Sequence, residues 1–132
     1  MPDPGIEAVN AGICGSAIHV GRIEEARKMA VDPALLTELG DLFKVFADPT
    51  RLRILGALTC GELCVCDIAA IVGMGQSAVS HQLAVLRAAR LVAAHREGKT
   101  IHYGLADRHV GLLLELGLDH ASERVLGNPD GR

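Results

Sequence analysis

Four residues toward the end of this 132-residue sequence have the types and spacing of metal ligands: Asp107, His109, His120 and Glu123. Imidazole and carboxylate are ordinary donors for an ion such as Zn(II). The leucine-rich stretch that holds them reads as one helix, capped by Asp107 and running to about Leu126. At about 100° and 1.5 Å per residue, His109 and His120 share a face but stand roughly 16 Å apart along the axis. One helix cannot bring both to an ion whose bonds are only ~2.0 to 2.2 Å long. If two copies pack antiparallel about a two-fold axis, Asp107 and His109 of one meet His120 and Glu123 of the other, giving two sites per homodimer. Leu113 and Leu116 continue the same stripe, so the ligand face is also apolar enough to dimerise. On spacing alone, the same four residues are better explained by a plain N-cap at Asp107 and a solvated His120–Glu123 pair.

A second group is sulfur-rich. Cys64 and Asp67 are three apart and so neighbours on a helical face, and Cys66 can join them if the first turn is distorted. Two local thiolates leave a tetrahedral ion half satisfied. Cys14 and His19, near the N-terminus, could complete a site suited to Zn, Cd or Pb, from the same chain or from a partner. Cap and core packing at Cys64 and Cys66, with a free thiol at Cys14, is the bland alternative. Cys60 reads as a buried small residue at a helix end.

The elements that must position these groups are mostly helical. Arg22 to Ala30 reads as a short helix, and Asp32-Pro33 starts a second with Leu35, Leu36, Leu39, Leu42, Phe43 and Phe46 at spacings of three and four. Asp48-Pro49 starts another, with Leu52, Leu55 and Leu58 inward, ending at Gly61. Val65, Ile68, Ala69 and Val72 mark a short helix closed by Gly73, and a further helix begins near Gln76 after Gly75. Two helices around a Gly-containing turn suggest helix-turn-helix. Leu91 to Arg96 and Thr100 to Leu105 then form a two-stranded ribbon turning at Glu97-Gly98, a candidate wing. His95 and His102 fall on it and are read as phosphate contacts or exposed residues rather than ligands.

The helix from Gln76 turns Val79, Leu83 and Leu86 inward, leaving Gln76, Ser77, Ser80, His81 and Arg87 outward. Amides, hydroxyls and imidazoles near a helix start are groups that read base edges in the major groove. The whole chain carries a net charge of -3, which by itself speaks against a nucleic-acid partner. Between Gln76 and Tyr103, however, Arg87, Arg90, Arg96 and Lys99 face only Glu97, and such local cations govern affinity for phosphate. The excess acid lies elsewhere.

Other function classes find little support. The start carries Asp3 and Glu7 and no Lys or Arg before Arg22, unlike a secretory signal, and no apolar run approaches the ~20 residues of a membrane span. A cytoplasmic protein with no membrane partner is expected. No HExxH, Gly-rich phosphate loop or GxSxG is present, so an enzyme reading has no anchor. The expected organisation is a flexible arm over residues 1–21, a winged helix-turn-helix domain over 22–126 with dimerising N- and C-terminal helices, and a polar tail over 127–132.

Three strings, Ala47-Asp48-Pro49-Thr50-Arg51-Leu52-Arg53-Ile54-Leu55, Glu62-Leu63-Cys64-Val65-Cys66-Asp67 and Gln76-Ser77-Ala78-Val79-Ser80-His81-Gln82-Leu83, resemble the ArsR/SmtB family of metal-responsive winged-helix repressors. The likeness runs in order from about Leu35 to Glu123. Gly75 stands where the family often has a Ser or Thr cap. The resemblance implies a homodimer whose apo form holds operator DNA and releases it on binding Zn(II), with Cd(II), Co(II) or Pb(II) as alternatives, so that efflux or sequestration genes are expressed. It also implies that Asp107, His109, His120 and Glu123 match the C-terminal-helix site of zinc-sensing members. Cys64, Cys66 and Asp67 with Cys14 and His19 resemble the site of the cadmium- and lead-responsive branch, although that branch's arm usually carries two cysteines. The alternative on the same scaffold is a thiol-based redox or persulfide regulator using Cys64 and Cys66.

Overall fold

The computed structural model describes residues 19–127. The chain divides into two compact units at Thr37/Glu38. The first holds α1 (Val20–Lys28), which starts two residues earlier and ends two earlier than its sequence signals predict. Helix α2 (Pro33–Phe46) crosses the division, and Asp32 caps it by accepting the Ala34 amide at 2.7 Å.

The second unit builds outward from α3 (Pro49–Leu58). Pro49 sits at the first turn, where its missing N–H costs nothing, and Asp48 accepts the Arg51 amide at 2.9 Å. Ile54 and Leu55 have no exposed surface at all. The expected extension of this helix to Gly61 is corrected: it stops at Leu58, and Cys60 lies in the following turn, exposed rather than buried.

Next come β1 (Leu63–Cys64), α4 (Val65–Val72) and α5 (Gln76–Ala88). Gly73 closes α4 in the left-handed conformation at φ 68°, which glycine adopts without steric cost, and α4 and α5 then meet at 107°. Gly75 is the N-cap of α5 and offers no side-chain cap bond. The core joins Ile54, Leu55 and Leu58 of α3 to Ile68 and Val72 of α4 and to Val79, Leu83 and Leu86 of α5.

Strands β2 (Val92–Glu97) and β3 (Thr100–Leu105) form the hairpin. Two features of the expected ribbon need correction. Glu97 pairs with Thr100, so the turn is Gly98-Lys99, with Gly98 at φ 64°, and not Glu97-Gly98. The sheet also has three strands, in the order β1-β3-β2, because Leu63 and Cys64 pair antiparallel with Tyr103 and His102. The last helix, α6 (Arg108–Val125), buries Val110 and Leu114 against the core. Leu42, Val45 and Phe46 of α2 pack on the same core, whereas Leu39 and Phe43 stay exposed.

Candidate DNA-reading surface and metal-ligand sites

The start of α5 projects Gln76, Ser77, Ser80 and His81 into solvent, and Arg87 follows on its last turn. Every one of these is exposed, as the periodicity predicts, because Val79, Leu83 and Leu86 take the opposite side into the core. Arg96 and Lys99 are exposed on the hairpin. Polar hydrogen-bonding groups at a helix start, flanked by cations on a hairpin, are what base edges and phosphates in a major groove require.

Two arginines that sequence reasoning left without a role hold this surface in place. The Arg51 guanidinium donates through Nε to the Val45 carbonyl at 2.8 Å and through Nη1 to Gln82 Oε1 at 3.3 Å, tying the end of α2 to α5. Arg53 Nη2 donates to the Val72 carbonyl at 2.7 Å and so satisfies an orphan acceptor at the end of α4. Their spacing, two apart on a helix that faces both α4 and α5, was the available signal.

On α6, His109, Leu112, Leu116, His120 and Glu123 recur at three and four and share a face distinct from that of Val110 and Leu114. Leu116 is 66% exposed and Leu112 46%, while Leu113 is half-buried. Asp107 is the N-cap: Oδ1 accepts the amides of His109 at 2.8 Å and Val110 at 3.4 Å. The same Oδ1 stands 3.3 Å from His109 Nδ1. For bonds of ~2.0 to 2.2 Å in tetrahedral geometry, two donors must be roughly 3.3 to 3.5 Å apart, so this pair already has the bite of half a site. His120 and Glu123, three apart and exposed, form a second pair near the other end. The donor types therefore suit a nitrogen- and oxygen-bound ion, with the spacing of two ligands in place at the Asp107–His109 pair.

At the sulfur-rich group, Cys64 is the N-cap of α4, and its Sγ lies 3.1 Å from Asp67 Oδ2. Asp67 Oδ2 also accepts the Cys64 amide at 3.3 Å. Cys66 is a free, exposed thiol in the same turn. His19 is exposed just before α1, and Cys14 lies outside the described residues. As the side chains are placed, no three His, Cys, Asp or Glu donors among the described residues converge at ligating distance within one chain.

Residues 48–94 match the family described as bacterial regulatory protein, arsR family. Over 106 residues the chain is 40% identical to a transcriptional repressor SmtB homolog of Synechocystis sp., covering 80% of each protein. Over 107 residues it is 34% identical to a cadmium resistance transcriptional regulatory protein CadC homolog of Staphylococcus aureus, covering 80% of this chain and 88% of that one. A homodimeric winged helix-turn-helix DNA-binding domain from Mycobacterium bovis superposes with a TM-score of 0.68 at 34% identity, over 73% of this chain and 89% of that domain.

Proposed function

From the premise that the chain belongs to the ArsR/SmtB family of winged helix-turn-helix transcriptional regulators, we propose that it is a homodimeric, cytoplasmic repressor whose apo form binds operator DNA and which a metal ion releases. One observation carries this reading: a single exposed face of α6 presents two complementary half-sites, Asp107 with His109 and His120 with Glu123, separated by the exposed leucines Leu112 and Leu116. An interface that joins two such faces antiparallel buries the leucines and completes both sites together. The names of the two relatives, a repressor and a cadmium-resistance regulator, support the same conclusion.

Each chain contributes one recognition helix. Gln76, Ser77, Ser80 and His81 of α5 face the bases, and Arg87, Arg96 and Lys99 hold phosphates, which sets register and most of the affinity. The effector, Zn(II) in the first place with Cd(II), Co(II) or Pb(II) as alternatives, supplies a cross-link between the two copies of α6. Asp107, His109, His120 and Glu123 hold it, and the chain's own packing carries the consequence: α6 rests on the core through Val110 and Leu114, the core also seats α5, and the spacing of the two recognition helices follows the angle between chains. Release requires tighter ion binding by the conformation that fits DNA poorly; a coupling of about 1 to 3 kcal/mol corresponds to roughly 5- to 150-fold in operator affinity. Cys64, Cys66 and Asp67, with Cys14 and His19, form a second, thiolate-based site.

The deciding experiment titrates Zn(II), Cd(II), Co(II) and Pb(II) into the metal-free full-length protein while operator affinity is followed, and repeats this for His120→Ala and Cys64→Ser. Metal-driven release that His120→Ala abolishes, with apo binding intact, is the expected result. Release by oxidant after thorough chelation, lost in Cys64→Ser, would instead establish the thiol-based mechanism.

A further inference from the structure

The wing carries a cluster that the regulatory reading leaves unused. In the sheet register His95 of β2 stands opposite His102 of β3, and His102 opposite Cys64 of β1. Residues directly opposite in an antiparallel pair project to one face, as do residues two apart along a strand, so Glu97 joins the two histidines there. The rings stack with centroids 5.6 Å apart and planes inclined by 23°. Glu97 Oε2 lies 3.6 Å from His102 Nε2 and 4.0 Å from His95 Nε2.

Glu62 approaches from the other side. The middle strand has no side chain at Gly104, where a Cβ would stand 3.1 Å from Glu62 Cγ. Through that gap Glu62 crosses β3 and brings Oε2 to 2.9 Å from His95 Nδ1. His95 thus meets a carboxylate at both ring nitrogens. Glu62 Oε2 holds the Nδ1 side of that ring at 2.9 Å and leaves the Nε2 edge turned toward Glu97.

We propose that the wing binds a divalent ion of the imidazole-preferring kind, Zn(II) or Ni(II), through Nε2 of His95, Nε2 of His102 and a carboxylate oxygen of Glu97, with water completing the coordination. A His-x-Glu pair on one strand with a His facing it on the next places three donors on one side of a ladder, within a single chain, although as the side chains stand they do not converge on one point and must close up around the ion. Against the roughly 3.3 to 3.5 Å of a closed tetrahedral site, the 3.6 Å separation is long by about 0.1 to 0.3 Å and the 4.0 Å separation by about 0.5 to 0.7 Å. Glu97, 75% exposed, is free to make that adjustment. Glu62 acts behind the ligands, fixing the His95 ring by its Nδ1 so that Nε2 is the donor.

The test uses full-length protein carrying His109→Ala, His120→Ala and Cys64→Ser, freed of metal by chelation and titrated with Co(II). One equivalent per chain is expected, with d–d absorption of nitrogen and oxygen coordination and no thiolate charge-transfer band. Adding His95→Ala or His102→Ala abolishes it, and Glu62→Gln weakens it by about 10- to 100-fold. Circular dichroism and urea unfolding of each metal-free variant check that the wing is still folded. Stoichiometry unchanged by His95→Ala and His102→Ala overturns the wing site, whatever the α6 ligands do. Failure of the α6 reading leaves the wing equivalent in place, so the two ideas fall separately.

Discussion

Asp107 Oδ1 accepts the amide of His109 at 2.8 Å and stands 3.3 Å from that residue's Nδ1, so one carboxylate both starts helix α6 and faces a candidate ligand. The two roles separate by substitution. Asp107→Asn keeps a capping oxygen and should leave stability within a few tenths of a kcal/mol, whereas Asp107→Ala should cost about 1 kcal/mol. Both should lose metal-driven operator release, because neither retains an anionic donor. Urea unfolding alongside operator titration checks this. An Asp107→Asn protein that still responds normally to metal would reduce Asp107 to a cap.

Phosphate contact at the wing and at the end of α5 predicts a change in salt dependence rather than in sequence preference. Each lost contact flattens the slope of log affinity against log salt by roughly 0.9, and a symmetric dimer loses two, so Arg87→Ala or Arg96→Ala should flatten it by about 1.8. Operator affinity measured across a salt series gives the slope directly. A parallel line at lower affinity would remove that residue from the phosphates.

Arg90 ends the turn after α5 at φ 61°, the left-handed region that costs a side-chain-bearing residue about 1 kcal/mol relative to glycine. Part of that is offset by the greater freedom glycine has in the unfolded chain. Arg90→Gly should therefore raise unfolding free energy by about 0.5 kcal/mol with an unchanged m-value. A clear loss of stability in urea would mean that the guanidinium makes a contact worth more than the strain.

What the sequence made legible were features set by neighbours in the chain. Asp48-Pro49, Gly73 and the spacing of Val79, Leu83 and Leu86 are local signals, and the elements they predict are present. The third strand was not legible, because two residues are too few to show alternation and Leu63 and Cys64 become a strand only by pairing with Tyr103 and His102 forty residues later. The wing cluster was hidden for a related reason. A turn at Glu97-Gly98 sets His95 opposite Thr100, whereas the turn at Gly98-Lys99 sets it opposite His102. Cys60 was misplaced because α3 ends at Leu58, so a residue that one more helical turn would have oriented lies instead in a solvent-facing bend. For α6 the periodicity placed both half-sites on one face, but a single chain holds only halves.

That division into halves yields the sharpest prediction. If Asp107 and His109 of one chain share an ion with His120 and Glu123 of its partner, a His109→Ala homodimer and a His120→Ala homodimer each have two broken sites. A mixed dimer is different. The chain altered at His109 still offers His120, and the chain altered at His120 still offers His109, so one site is whole and the other lacks both histidines. Mixing the two inactive proteins under conditions that exchange subunits should restore about one tight Zn(II) site in each mixed dimer, and with it part of the metal-driven release. Two chains separately tagged and purified as the mixed species allow the stoichiometry to be read without the homodimers. Ligands drawn from within one chain would give no recovery on mixing, because every chain would still carry its own defect.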